Sequence, residues 1–550
     1  MEPRSPSKFK PSFMGFFQYR RVLKISIIFI LVVLLLVGVY HAFDIGGVGK
    51  VLRKSYFSVV IDCGSTGTRV NAYEWTMKDE SDWDLPVLVH EYPGNSTETP
   101  LWKSGCQYHC MQTEPGLDKF VGNLSGVRAS LEPLILLAEQ WVPEGRHGDT
   151  PIFVLATAGL RRLPIEDAKW ILEAVEAIVK EHKFVNRKSW IRVLNGKEEA
   201  YYGWVALNYK MGMLGNSSRL PTLGLLDLGG SSLQVVVEVD EPMEDEQYVR
   251  SKIGLVEHKI LAYSFPAFGL NKAFDRTVIM LSQVQSLRRS ASGRFELRHP
   301  CLSSGFVQNH NCSDCIRLNS TSWPNTGGKL WDNESASIDL VGDPDWKQCH
   351  GLARAAASNS SSSDWSSLTG TSILNLTAVS HLATQFHALS GFFAVYSELN
   401  LSLRANLTDI LGRGQQLCLR SWADKSVSRN QIYAEQYCFR VPYVVSLIDD
   451  ALSIGNAEII FGPADISWTL GAALVEREYL ASTTKIDTGI LSPKIKKVIF
   501  SPILIFVLLL CLLFFVYYSQ IKLPMLGKKQ SAVRVGASLP SYIYPKQCPN

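Results

Sequence analysis

Two short stretches of this chain combine residues suited to holding phosphate. Asp62-Cys-Gly-Ser-Thr-Gly67 and Asp227-Leu-Gly-Gly-Ser-Ser232 align position by position, 165 residues apart, and form an internal repeat. Gly64, Gly67, Gly229 and Gly230 let consecutive backbone N–H groups point into one concavity, a nest that takes up phosphate oxygens with no bulky side chain in the way. Ser65, Thr66, Thr68, Ser231 and Ser232 add hydroxyl donors. Asp62 and Asp227 stand at equivalent places, where each either caps its own turn or faces its counterpart across a shared cleft. In the second arrangement the pair suits a hard divalent cation, Ca²⁺ or Mg²⁺, held directly or through its waters. GxxxxGK[ST] and GxGxxG loops, which must lead into a helix, are absent between residues 44 and 497, and HExxH and GxSxG are absent altogether. Water is therefore the expected nucleophile.

The elements around these turns are legible. Tyr56–Ile61 and Arg69–Trp75 read as strands flanking the first turn, and Thr222–Leu226 and Leu233–Val239 as strands flanking the second. Pro151–Ala156 reads as a short apolar strand running into Thr157-Ala-Gly-Leu-Arg161. A helix follows over Ile165–Glu181, its apolar positions 165, 168, 171, 172, 175, 178 and 179 keeping helical spacing. Ile191–Leu194 reads as another strand and Lys197–Tyr209 as a helix; Ala378–Leu399 reads as a long, largely apolar helix. Strands alternating with helices place the chain in the α/β class, and the repeat implies two related lobes.

Composition narrows the class further. The chain has 550 residues, 46% hydrophobic and 19% charged, with a formal charge of +4, which excludes disordered and collagenous chains and gives no reason to expect nucleic acid. Ile25–Phe43 and Val498–Tyr518 are apolar runs of 19 and 21 residues, enough to cross a bilayer core of about 30 Å as helices. Six basic residues up to Lys24 favour a cytosolic N-terminus, and two spans return the C-terminus to the same side. Segments 1–24 and 519–550 each carry +5, leaving −6 for the rest, so phosphate binding must come from local loops, arginines and a metal.

The expected plan is therefore a cytosolic segment 1–24, a span 25–43, lobe I 44–221, lobe II 222–474 with a Ser-rich insertion 357–372, a linker 475–497, a span 498–518 and a cytosolic tail 519–550. Asn-x-Ser/Thr sequons begin at Asn95, Asn123, Asn216, Asn311, Asn319, Asn333, Asn359, Asn375, Asn400 and Asn406, all between the two runs. That distribution implies a glycosylated domain in the lumen or outside the cell. Nine of eleven cysteines share this region, where disulfides are allowed. Cys418 and Cys438 are a candidate pair, Cys312 and Cys315 fit a disulfide framework, and Cys63 is the candidate free thiol. Which membrane holds the protein, Golgi, another endomembrane or plasma membrane, is open, as is oligomerisation through the spans.

Five ordered stretches carry a family resemblance: Ile61-Asp-Cys-Gly-Ser-Thr-Gly-Thr-Arg69, Ala156-Thr-Ala-Gly-Leu-Arg161, Asn195-Gly-Lys-Glu-Glu-Ala-Tyr-Tyr-Gly-Trp204, Leu226-Asp-Leu-Gly-Gly-Ser-Ser-Leu-Gln234 and Ile466-Ser-Trp-Thr-Leu-Gly471. They resemble the five motifs of the apyrases, or ectonucleoside triphosphate diphosphohydrolases, and the whole chain is most similar to the two-span plant members. The resemblance implies two actin-like (RNase H-like) lobes with the active site between them, and hydrolysis of the terminal phosphate of nucleoside triphosphates, diphosphates or both, assisted by Ca²⁺ or Mg²⁺. It implies Glu199 as the catalytic base, with Ser232 and Gln234 positioning the water and Asp62 and Asp227 around the metal. Gly64, Ser65, Thr66, Gly67, Asp227, Gly229, Gly230 and Ser231 fall in its phosphate loops, and Arg69, Thr157 and Arg161 line the same cleft.

By themselves Arg69 reads equally as a strand-edge charge and Arg161 as a helix cap; Trp204 and Trp468 read as core. Ala200 and Cys63 stand where the family usually has Gly and Ala. Phe393 replaces a base-stacking Tyr, and the usual Gly-Tyr is missing after Leu447-Ile-Asp-Asp450, so nucleobase preference is not implied. A nucleotide-binding glycoprotein that does not hydrolyse is the alternative; a kinase or chaperone-like ATPase on this fold is disfavoured by the topology.

Overall fold

The computed structural model describes residues 55–76, 85–94, 112–214, 221–253, 256–285, 288–289, 294–311, 337–358, 373–374, 376, 385–402, 404–423 and 436–484, and Val33. Apart from Val33 these all belong to one compact unit, Val51–Lys485. No helix among the described residues is long and apolar enough to cross a membrane. Both expected spans lie outside those residues, Val33 excepted, as do the Cys312/Cys315 pair and residues 359–372 of the expected insertion 357–372; Ala357 instead ends a helix.

The first lobe is built on β1 (Tyr56–Cys63), β2 (Thr68–Thr76), β3 (Val87–Tyr92), β4 (Gln112–Thr113), β5 (Ile152–Ala156) and β6 (Ile191–Val193), with α1 (Leu124–Trp141), α2 (Ile165–Val179) and α3 (Gly196–Lys210) between or after them. Its sheet runs β3-β2-β1-β5-β6, and β4 pairs with the start of β2. The second lobe uses β7 (Gly224–Leu228), β8 (Ser232–Glu238), β9 (Tyr248–Ile253), β10 (Val256–Pro266) and α4 (Leu270–Val284). A small sheet follows, β11 (Arg288–Arg289), β12 (Phe295–His299), β13 (Val307–Asn311) and β14 (Ser337–Gly342). The chain then continues through α5 (Trp346–Ala357), β15 (Gln385–Ser390), α6 (Gly391–Ser397), α7 (Leu407–Ala423), α8 (Tyr437–Ser446), β16 (Glu458–Phe461) and α9 (Trp468–Thr484). Its main sheet runs β16-β15-β7-β8-β10-β9.

The repeat seen in two turns thus extends to whole sheets. In each lobe an antiparallel set, β3-β2-β1 or β10-β8-β7, continues into two parallel strands, β5 and β6 or β15 and β16. This is the two-lobed α/β architecture expected from the sequence.

Three cores hold it together. Val59, Ile61 and Val154 on one face of the first sheet meet Leu131, Ile135, Val175 and Ile178 of α1 and α2. Leu226, Val235 and Leu261 of the second sheet meet Phe274, Leu352 and Val444 of α4, α5 and α8. Between the sheets, Val60 and Tyr73 on one side and Leu225 and Val236 on the other enclose α3 and α9. Residues 200 and 202–208 of α3 are all buried, so this helix has no solvent stripe of the kind an outer helix shows. Gly471 lets α9 press on it backbone to backbone: a Cβ there would lie 1.9 Å from the Tyr202 carbonyl. Tyr73 and Thr469 lock α9 to the first sheet through a 2.7 Å hydrogen bond.

Two expectations are corrected. Among the described residues of 378–399, which begin at Gln385, Gln385–Ser390 form β15 and Gly391–Ser397 is helical. β15 lies between β7 and β16 with Phe386 and Ala388 buried, and an apolar segment covered on both faces looks alike in sequence whether strand or helix. Ile165 opens α2 on schedule but is 84% exposed, because the first turn overhangs the sheet that the later positions pack against. Cys418–Cys438 is a disulfide as expected; Cys301–Cys349, 48 residues apart, is a second that the spacing did not suggest.

Candidate active site

Each phosphate loop is the turn of a β-hairpin whose register places chemistry at its base. β1 and β2 pair Asp62 with Arg69, and β7 and β8 pair Asp227 with Gln234, the same interval of seven in both lobes. Glycine is required where the loops are tight: a Cβ on Gly67 would lie 2.7 Å from the Thr113 carbonyl, and one on Gly64 would lie 3.1 Å from both Gly67 O and Arg69 Nη1. The loops face each other. Ser231 Oγ donates to Ser65 Oγ at 2.9 Å, and a Cβ on Gly230 would meet the Thr66 methyl at 3.1 Å. Gly229 belongs to the same turn, its N–H donating to Ser232 O at 2.9 Å.

Arg69 is no strand-edge charge. Its guanidinium donates to Asp62 Oδ2 (3.4 Å), Thr66 Oγ1 (3.2 Å) and Gln112 Oε1 (3.1 Å). Thr157 is buried, and its N–H donates to Cys63 O at 3.2 Å, joining the end of β5 to the first loop. It opens a single helical turn, Ala158–Arg161, that delivers Arg161 to the cleft. Arg161 donates to Glu199 Oε2 at 2.7 Å and to Leu194 O at 3.1 Å. Glu199 is placed by a capping box in which Asn195 Oδ1 accepts from the Glu198 N–H (2.8 Å) and Glu198 Oε2 from the Asn195 N–H (2.9 Å), fixing where α3 begins. Ala200 is fully buried, and α3 runs unbroken through it.

Gln234 donates through Nε2 to Ser232 Oγ at 2.8 Å and Ser264 Oγ at 3.2 Å. The Ser390 hydroxyl bonds Asp227 from the end of β15, with Ser390 held at φ 52°, a left-handed conformation unusual for a residue with a side chain. Gly203 on α3 leaves room for Leu225 of β7, since a Cβ there would lie 2.8 Å from Leu225 Cδ2.

The electrostatics follow from three carboxyls sharing one cleft, Asp62 buried and Glu199 and Asp227 largely so. Burial lifts Glu199 from an ordinary 4.5 to about 7, opposed by Arg161 and reinforced by Asp62 and Asp227. Burial also raises Asp62, against the pull of Arg69 and with a push from Asp227; Asp227 is raised by burial against its Ser390 bond. Asp62 Oδ1 is buried without a hydrogen-bond partner. Excess negative charge and an orphaned carboxylate oxygen fit a divalent cation. Among the described residues no three acidic, His or Cys side chains cluster closely enough to cage one, so the fit is to a cation completed by water and phosphate oxygens. Cys63 is buried and free, its thiol pushed up by burial and by Asp62. Trp204 and Trp468 are core residues, both buried in the layer between the sheets.

All the site residues read from sequence therefore fall on the two hairpins, the Thr157–Arg161 turn or the start of α3. Gln112, Ser264 and Ser390 were not found. Each is a single polar residue on a neighbouring strand with no local motif, and only sheet register brings it to the site.

A pair of opposed Gly-rich hairpin turns with a carboxyl between them makes a two-lobed site whose chemistry suits phosphate. Residues 51–489 match the GDA1/CD39 (nucleoside phosphatase) family, and the chain belongs to it. Probable apyrase 7 of Arabidopsis thaliana is 41% identical over 472 residues, 83% of this chain; the chain spans 62% of the length of that relative. Ectonucleoside triphosphate diphosphohydrolase 3 of Mus musculus is 27% identical over 90% of both chains. The crystal structure of nucleoside triphosphate hydrolases from Neospora caninum superposes with a TM-score of 0.52 at 16% identity, covering 82% of this chain and 96% of that one, which shows the shared fold. These relationships place the chain in a family described as nucleoside phosphatases.

Proposed function

We propose that the protein is a membrane-anchored apyrase that removes the terminal phosphate of nucleoside triphosphates, diphosphates or both by direct attack of water. The observation that carries this reading is the Arg161–Glu199 pair, 2.7 Å apart, beside two facing phosphate loops. Glu199 accepts a proton from water as the water oxygen bonds to the terminal phosphorus. The bond from that phosphorus to the bridging oxygen breaks, and the shortened nucleotide leaves with the bridging oxygen. Arg161 aims the carboxylate and favours its ionised form against the effect of burial. Ser232 and Gln234, two apart on β8 and on one face, hold the water. Amides of Gly64–Gly67, Gly230 and Ser231 receive the phosphate oxygens, and Arg69 and Thr157 complete the wall. Ca²⁺ or Mg²⁺ held by Asp62 and Asp227, chiefly through water, supplies neutralising charge to the phosphates.

The membrane and compartment parts of the proposal rest on the two apolar runs and on the sequons. Asn123, Asn400 and Asn406 are exposed, and Asn123 and Asn406 accept capping hydrogen bonds through Oδ1, leaving Nδ2 for a glycan. The two disulfides suit an oxidising lumen or exterior.

The test is phosphate release from several nucleoside tri- and diphosphates with Ca²⁺, Mg²⁺ or EDTA, wild type against Glu199→Gln. Loss of turnover with nucleotide binding retained supports the mechanism. Release in EDTA, or turnover unaffected by the substitution, overturns it.

A further inference from the structure

The repeat between the lobes reaches one strand beyond the phosphate loops. In lobe II, register sets Asp227, Gln234 and Ser264 side by side across β7, β8 and β10. In lobe I it sets Asp62, Arg69 and Gln112 side by side across β1, β2 and β4. Residues paired directly across neighbouring strands share a face, so each row presents three polar side chains at one level. The contacts repeat as well. The third-strand residue accepts a hydrogen bond from the second-strand one in both lobes: Gln112 Oε1 from Arg69 Nε at 3.1 Å, and Ser264 Oγ from Gln234 Nε2 at 3.2 Å.

In lobe II this arrangement holds one amide by both of its hydrogens. Nε2 of Gln234 donates to two hydroxyl oxygens, Ser232 Oγ and Ser264 Oγ. With Nε2 held in this way, Oε1 is the group left to accept a hydrogen from the attacking water. Removing Ser264 Oγ releases one of the two hydrogens and leaves the amide that presents Oε1 less firmly held. Ser264 also touches the helix that carries the base. A Cβ on Gly196, the first residue of α3, would lie 2.5 Å from Ser264 Cβ and 2.7 Å from its Oγ. One hydroxymethyl group thereby sets the distance between the Gln234 strand and the Glu199 helix.

We propose that Ser264 is a positioning residue for the hydrolytic water, acting through Gln234, with Gln112 its counterpart acting on Arg69 in lobe I. The inference rests on the reading that Gln234 holds the water.

A double-mutant cycle on the full-length protein separates the two. Initial rates with a nucleoside triphosphate and Mg²⁺ are measured for wild type, Ser264→Ala, Gln234→Ala and the double variant. Thermal melting checks the fold of each, and Ser264→Cys serves as a near-isosteric second probe. Loss of one neutral hydrogen bond predicts a fall in kcat of about fivefold to tenfold for Ser264→Ala, with KM within about twofold, and a smaller fall for the Cys variant. In the Gln234→Ala background the same substitution should change kcat by less than about twofold, because partners in one network are not additive. An equal loss in both backgrounds, or no loss in wild type, overturns the role of Ser264. A Gln234→Ala protein with unchanged kcat overturns the reading of Gln234 instead.

Discussion

Glu199→Gln tests turnover and electrostatics with the change of one atom. General-base catalysis contributes about 10² to 10⁴ in rate, so kcat should fall by that range while nucleotide binding persists. The second consequence concerns stability. Glu199 titrates at about 7 in the folded protein against an ordinary 4.5. A folded-state value raised above the unfolded one means that folding favours the protonated form. The contribution to stability is then complete below about pH 4.5 and disappears as pH rises through about 7. At about 1.4 kcal/mol per pH unit, ionising this buried carboxyl costs the native state about 3 kcal/mol by pH 8.5. The amide of the variant cannot ionise, so it escapes that loss. It also leaves Arg161 without its carboxylate, but arginine stays charged throughout, so this penalty is the same at every pH. The pH dependence of the difference therefore isolates Glu199. Melting of both proteins in EDTA between pH 5 and 8.5 should show the variant gaining on wild type as pH rises, most steeply between about pH 5 and 6.5 and levelling off above about 7. A difference constant with pH would refute the claim that Glu199 is buried with a raised pKa, whatever happened to turnover.

Four further outcomes follow from the same geometry. Arg161→Ala removes the group that lowers the Glu199 pKa, so the acid limb of kcat/KM against pH should move upward from about 7; an unmoved limb would show that the ion pair does not set it. Asp62→Asn and Asp227→Asn should each raise the half-saturating Mg²⁺ or Ca²⁺ concentration by about tenfold or more, and an unchanged metal titration would remove both from the cation site. Cys63 should resist alkylation in the folded protein and react in denaturant, while reduction of Cys301–Cys349 and Cys418–Cys438 should cost about 2–4 kcal/mol for each bridge, read by thermal melting. Asn123→Gln, Asn400→Gln and Asn406→Gln should each reduce the mass by one glycan in protein made through a secretory pathway; no mass change on glycosidase treatment would refute the lumenal assignment.

Some features of this chain are local, and local features are written in the sequence. The turns at Asp62 and Asp227 are legible because a phosphate nest needs glycine within a few residues of a strand end, and the capping of α3 because Asn195 and Glu198 are only three apart. Motif resemblance supplied Glu199, Arg161, Ser232 and Gln234, and the folded chain gathers them in one cleft. The spacing of Cys418 and Cys438 was short enough to suggest their bond, whereas that of Cys301 and Cys349 was not.

What tertiary structure decided is everything that depends on which strands lie side by side. The segment at Ala388 reads as helix from its apolar run, and it is a strand because it pairs with β7 on one edge and β16 on the other. Without the motif resemblance Arg69 reads equally as a strand-edge charge and Arg161 as a helix cap; folding sets Asp62 beside one and Glu199 beside the other. The raised pKa of Glu199 has no sequence signature, because it arises from burial of α3 between two sheets and from two aspartates more than 100 and nearly 30 residues away along the chain. Ser264 and Gln112 belong to the site by register alone. A hydrogen bond across a sheet depends on pairing, and pairing is fixed by the packing of the whole lobe rather than by neighbours in sequence.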